Sequence, residues 1–192
     1  MKLSGSYQIK LEKQKVWEAL NNPEILKQAI PGCEEFVKKS ETEFTATATN
    51  KIGPFNATFT GDIELKDLNS PNSYKITGSG NSPVGFANGE ASVTLEDFED
   101  GTKLNYNVEA NVGGKIAQVG SRLIDMTAKK MADVFFGKFS ELISTEDNSS
   151  DAKLSNEKID QTIEPKPNKH NQKIFVYAGV VTIIAIFIFS FF

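Results

Sequence analysis

The chain alternates between apolar and polar positions for its first hundred or so residues, then changes period. Over Lys2–Leu11, Leu3, Gly5, Tyr7, Ile9 and Leu11 fall on one side and Ser4, Ser6, Gln8 and Lys10 on the other, which predicts a strand. Lys13–Asn21 carries Val16, Trp17 and Leu20 at helical spacing, with Trp17 expected to pack this short helix on a sheet. Asn22-Pro23 interrupts it, and Pro23 suits the first turn of a second helix over Glu24–Ala29. After a Pro31-Gly32 turn, strands are predicted at Cys33–Lys39, Glu43–Asn50, Phe55–Lys66, Ser73–Ser79, Phe86–Phe98 and Thr102–Val112. Phe55–Lys66 is the most regular of them. Gly53-Pro54, Ser70-Pro71, Ser82-Pro83 and Asp100-Gly101 mark the turns.

From Gly113 to Ile143 the period becomes helical. At about 100° per residue, Ile116, Ala117, Gly120, Leu123, Ile124, Thr127, Met131, Val134, Phe135 and Leu142 share one arc. Gln118, Arg122, Asp125, Lys129, Asp133 and Ser140 lie opposite. This predicts one long amphipathic helix laid on an apolar surface. Phe136 and Ile143 fall off the arc; they pack on the first strand or the short helices, or form an exposed patch. The helix start is nearly bare of side chains, at Gly113, Gly114, Ala117, Gly120 and Ser121. Either another backbone comes close there, or room is kept for something that is not protein.

Strand, two short helices, six strands and a long helix make an α+β fold: an antiparallel seven-stranded sheet with one buried face, covered by the closing helix. The inward positions mix small residues (Ala46, Ala48, Ala57, Gly61, Gly78, Gly80, Ala91, Ala110) with aromatics (Phe44, Phe55, Phe59, Phe86, Tyr106). Two readings are open. Either the aromatics fill what the small residues vacate, or the interior keeps an apolar ligand cavity of roughly 300–1,000 Å³. The expected lining is Phe44, Phe55, Phe59, Phe86, Tyr106, Ile116, Val119, Gly120 and Leu123, with Tyr106 the polar contact.

Composition divides the 192 residues into three parts. Residues 1–145 have the mixed make-up of one globular domain. Residues 146–173 are polar and charged, with Pro165 and Pro167, and read as a disordered tether of roughly 30 Å coil size. Residues 174–192, IFVYAGVVTIIAIFIFSFF, hold no charge. As a helix they reach about 28 Å, near the thickness of a bilayer core, which predicts a C-terminal transmembrane anchor. Lys166, Lys169 and Lys173 precede it with no acid after Glu164, so the domain is expected on the cytoplasmic side of the cell membrane. Met1–Lys10 lacks the apolar stretch of a secretory signal.

A net charge of −4 offers nothing to nucleic acid. The one histidine, His170, falls in the polar segment, and the one cysteine, Cys33, follows a turn, where it reads as a small hydrophobe. These supply neither a metal site nor a Cys–His nucleophile pair. No phosphate-binding glycine motif occurs, and no carboxylate pair stands out. Arg122, on the polar helix face, is expected to be solvated or salt-bridged, or to make a docking contact. Catalytic residues and metal are expected to be absent, and the chain is read as a non-enzyme.

The segments PEILKQAIPGCE, KIGPFNATFTGDIEL, GFANGEASVTL and DGTKLNYNVEANVGGKIAQVGSRLIDMTAKKMADVFFGKF, in this order and spacing, resemble the G-subunit family of carbon monoxide dehydrogenase over residues 1–140. The resemblance implies a START-like helix-grip fold, in which a long C-terminal helix grips a curved antiparallel sheet around an apolar cavity. It implies an accessory of molybdenum hydroxylases of the carbon monoxide and xanthine dehydrogenase type, one that recruits them to the membrane and handles quinone. Many members carry a C-terminal membrane segment. No catalytic residue is carried over. The expected partners are thus the bilayer, a quinone as ligand and a molybdenum-containing dehydrogenase, with no covalently bound cofactor. The alternatives are an assembly or maturation factor acting without ligand transfer, and an enzyme of the cyclase or hydrolase type. The last is disfavoured because the inward positions are almost all apolar.

Overall fold

The computed structural model describes residues 1–154. Its elements are β1 (Lys2–Ile9), α1 (Lys13–Ala19), α2 (Pro23–Ala29), β2 (Cys33–Lys38), β3 (Glu43–Ile52), β4 (Phe55–Asn69), β5 (Ser73–Ser82), β6 (Gly85–Phe98), β7 (Gly101–Gly114), a 3₁₀ segment (Lys115–Val119) and α3 (Ser121–Leu154). The strands form one antiparallel sheet in the order β1-β7-β6-β5-β4-β3-β2. Successive strands are hairpin neighbours, and β1 pairs with β7 to complete the seven. Asn22 caps α2 by accepting the Glu24 N–H at 3.0 Å, with Pro23 at the first helical position.

The sheet buries one face. Phe44, Ala46 and Ala48 of β3, Phe59, Ile63 and Leu65 of β4, Tyr74 and Ile76 of β5, Ala91, Val93 and Leu95 of β6, and Leu104, Tyr106 and Val108 of β7 all point inward. Gly61 pairs with Gly80 in the middle of this face. A Cβ on Gly61 would lie 2.2 Å from the Ser79 carbonyl oxygen, so a glycine is required where β4 and β5 close together. Trp17 of α1 is buried with its ring edge-on to Tyr74 at 5.5 Å, packing the short helix on the sheet.

The stretch expected as one helix from Gly113 is instead three pieces. Gly113 and Gly114 end β7, Lys115–Val119 winds as 3₁₀, and α3 starts only at Ser121. Gly114 and Gly120 both have φ of +88°, a backbone state that ends regular winding. An arc projected across these breaks loses phase. The buried face of α3 is therefore Ile124, Ala128, Ala132, Phe135, Phe136, Phe139 and Ile143. Val134, placed on the apolar arc, is 46% exposed, and Ala117 is exposed too. Phe136 and Ile143, placed off it, are sealed in the core. Phe136 stacks on Tyr7 of β1 at 4.0 Å, and the Tyr7 hydroxyl donates to the Asp133 carboxylate one turn away. A polar and an aromatic contact together hold α3 on the edge strand.

Gly120 is the elbow between the 3₁₀ segment and α3. Its φ and ψ, +88° and 145°, belong to a region that is nearly glycine-only, and no atom lies within 4 Å of where a Cβ would stand. Gly120→Ala should cost about 1–3 kcal/mol through the backbone alone. Gly137→Ala, on open α3 surface, should instead gain about 0.5–1 kcal/mol. Urea midpoints of the two variants give the signs.

α3 runs to Leu154, so its backbone is helical over residues 146–154, the start of the stretch expected as tether. The rest of that stretch, His170 and the apolar run 174–192 lie outside the described residues. Among the described residues no helix is long and apolar enough to cross a membrane.

Candidate functional site

Hairpin connectivity gives the sheet two different ends. The β3–β4 and β5–β6 turns lie at one end with the 3₁₀ segment and the start of α3; the β2–β3, β4–β5 and β6–β7 turns lie at the other. At the second end the inward face is sealed: Ile63, Leu65, Tyr74, Ile76, Val93, Leu95 and Leu104 are all buried. At the first end it is not. Phe55 and Ala57 of β4 and Val112 of β7 remain partly accessible, as do Val119 and Leu123 across from them. The 3₁₀ segment and α3 lean on the β3–β4 turn here: a Cβ on Gly53 would lie 3.0 Å from Leu123 Cδ2 and 3.7 Å from Val119 Cγ1. An apolar, partly open mouth thus sits between the sheet and the first turns of α3.

The residues expected to line the interior distribute unevenly around this mouth. Phe55, Val119 and Leu123 border it. Gly120 forms its elbow but fills no wall, since its missing side chain would point into open space. Ile116 is fully buried beside the β5–β6 turn, where its backbone N–H donates to the Val84 carbonyl at 3.0 Å. Phe59 is fully buried in mid-sheet, and Phe44 lies toward the β2 edge with its ring 5.6 Å from that of Phe36. Phe86 departs from expectation. Ala87 and Ala91 fix the inward parity of β6, so Phe86 stands on the other face, 43% exposed, its ring lying over Gly113 of β7.

Tyr106 points inward, but its hydroxyl is already engaged. The ring lies across Gly5 on β1, where a Cβ would meet Tyr106 Oη at 2.5 Å. The Tyr7 hydroxyl donates to the Asp133 carboxylate, which leaves its oxygen to accept from the Tyr106 hydroxyl. Burial, then Asp133, pushes the Tyr7 phenol well above its ordinary value of 10.0 and raises that of Tyr106 in the same way, so both stay protonated at neutral pH. The sequence does not announce this trio. Tyr7 lies on the inward side of its strand, but its partner Asp133 is 126 residues away on the face expected to meet solvent.

A second tyrosine is equally silent in the sequence. Tyr74 is 1% exposed, and its Oη is buried without a hydrogen-bond partner. An unmet buried hydroxyl costs about 1–3 kcal/mol. Tyr74→Phe should accordingly raise stability, by roughly 1 kcal/mol, in a urea melt of ligand-free protein. A loss of stability would mean that the hydroxyl is paired in solution. Burial keeps the Tyr74 phenol well above 10.0, so it stays protonated at neutral pH.

Among the described residues no group of three His, Cys, Asp or Glu could hold a metal ion. Cys33 is half-buried, its Sγ donates to the Glu35 carbonyl at 3.4 Å, and burial pushes the thiol up to about 11, which makes it a poor nucleophile at neutral pH. Two clefts, of about 510 and 620 Å³, lie on the solvent face of the sheet. Glu43, Thr45, Asp62, Glu64 and Ser79 line the first, and Lys2, Asn88, Glu90, Glu109 and Asn111 the second. Both are polar. Arg122 is exposed at the start of α3.

A family model described as the G subunit of carbon monoxide dehydrogenase (CoxG) matches residues 5–144. Among solved structures, a conserved protein from Geobacillus kaustophilus is 31% identical, with a TM-score of 0.72 over 76% of this chain and 96% of that one. Protein Ms6760 from Mycobacterium smegmatis (15% identical, TM-score 0.58, 76% and 92% covered) and TTHA0849 from Thermus thermophilus (10%, 0.59, 76% and 99%) share the fold. No curated protein matches the chain.

Proposed function

The chain belongs to the CoxG family, the G subunits of carbon monoxide dehydrogenase. From that premise we propose that it is a membrane-anchored, non-catalytic accessory that binds a lipophilic molecule, a quinone, and recruits a molybdenum hydroxylase of the carbon monoxide or xanthine dehydrogenase type. The observation that carries the ligand reading is the partly open apolar mouth at Phe55, Ala57, Val112, Val119 and Leu123, between the inward face of the sheet and the first turns of α3. An isoprenoid chain entering there gains about 25 cal/mol per Å² of apolar area removed from water, so affinity needs no specific polar contact.

Residues 174–192 serve as the anchor, holding the domain on the cytoplasmic side where quinones partition into the bilayer. The dehydrogenase docks on the domain and passes electrons to the quinone it presents. The test is extraction: full-length protein purified from membranes should carry a quinone by mass spectrometry, near one per chain. Repeated recovery of protein free of any lipophilic compound would sink the ligand reading.

A further inference from the structure

The mouth lies at an end of the molecule with an unusual surface. Phe86 is 43% and Met126 61% exposed, the two large apolar side chains that stand out at this end. Pro54 and Pro83 are exposed at the tips of the two turns, and Val84, Val119 and Leu123 are half-buried between them. The charges here are mainly positive. Residues 50–56, 81–89 and 113–126 contain Lys51, Lys115 and Arg122 and one acid, Asp125, next to Met126; Glu90 follows directly after the second segment. The opposite end is the reverse: its three turns, 38–43, 66–73 and 96–101, hold seven acids and three lysines.

We infer that this end of the domain, formed by the β3–β4 and β5–β6 turns and the elbow at Gly120, docks directly on an anionic bilayer surface. Phe86 and Met126 enter the headgroup–acyl boundary, and Lys51, Lys115 and Arg122 lie among the lipid phosphates. Apolar side chains flanked by basic ones suit such a surface. The mouth then opens onto the phase in which a lipophilic ligand resides.

The inference rests on the anchored reading above, and the chain length allows it. α3 has 34 residues and is about 51 Å long. The 19 residues between Leu154 and Ile174 reach at most about 65 Å. The domain can therefore turn the N-terminal end of α3 to the membrane even though the tail leaves from the C-terminal end.

The experiment uses full-length protein in vesicles of phosphatidylcholine and phosphatidylglycerol with bromine on the acyl chains. Tryptophan is introduced as Phe86→Trp, Met126→Trp or, at the far end, Glu41→Trp. Trp17, 3% exposed, supplies a constant background. The Phe86→Trp and Met126→Trp probes should be quenched severalfold more than Glu41→Trp. That difference should vanish without phosphatidylglycerol, or when Lys51, Lys115 and Arg122 are all replaced by glutamine. Equal quenching at the three positions, or quenching indifferent to lipid charge, overturns the inference. If the chain floats with the vesicles and neither tip probe is quenched, the anchor stands and this docking face falls. If the chain fails to float, the anchored reading falls with it.

Discussion

Truncating Phe136 to alanine should destabilise the domain by about 3–5 kcal/mol, whereas Val134→Ala should change it by less than about 0.5 kcal/mol. The two residues are near neighbours on α3, and a helix read from Gly113 ranks them the other way round. Phe136 is 1% exposed, stacked on Tyr7 at 4.0 Å and edge-on to Phe135 at 4.9 Å; Val134 is 46% exposed. Removing the Phe136 ring leaves a cavity between the helix and β1 that the sheet edge cannot collapse to fill. Urea denaturation at constant slope measures both. A mild Phe136→Ala with a severe Val134→Ala would show that α3 sits on the sheet in the other phase.

The second large effect concerns the mouth. Ala57→Phe should weaken quinone binding at least tenfold while leaving the urea midpoint nearly unchanged. Ala57 is inward but partly accessible, so an added ring occupies space between β4 and α3 without displacing sealed core. A tenfold loss is about 1.4 kcal/mol, within what filling an apolar subsite removes. Gly120→Phe is a poorer probe than its position suggests. Its side chain would project into open space, and backbone strain would confuse the result. Equilibrium binding of a short-chain quinone to wild type and Ala57→Phe reads the effect, and unchanged affinity would put the ligand elsewhere.

The sheet was legible in the sequence because its signals are local. Period-two runs such as Phe55–Lys66, bounded by Gly53-Pro54 and Ser70-Pro71, fix both a strand and its inward face, and the hairpin order follows from chain order. The phase of α3 was not legible, because Gly114 and Gly120 break the winding and a single projection cannot carry across them. Phe86 misleads through size. Its aromatic ring suggests the interior, while the parity set by Ala87 and Ala91 puts it outside. The trio of Tyr7, Tyr106 and Asp133 needs β1, β7 and α3 to be assembled before it exists, and no spacing announces it. The unmet hydroxyl of Tyr74 is likewise a property of packing alone.

The most direct measurement is photoaffinity labelling of the full-length chain with an azido-quinone, followed by peptide mapping. If the ligand lies between the sheet and the first turns of α3, label concentrates on peptides containing Phe55–Ala57, Val112 and Val119–Leu123, and an excess of unmodified quinone removes it. Label that instead falls on Thr45, Asp62 and Ser79 of the solvent face, or that excess quinone does not displace, would contradict an interior site.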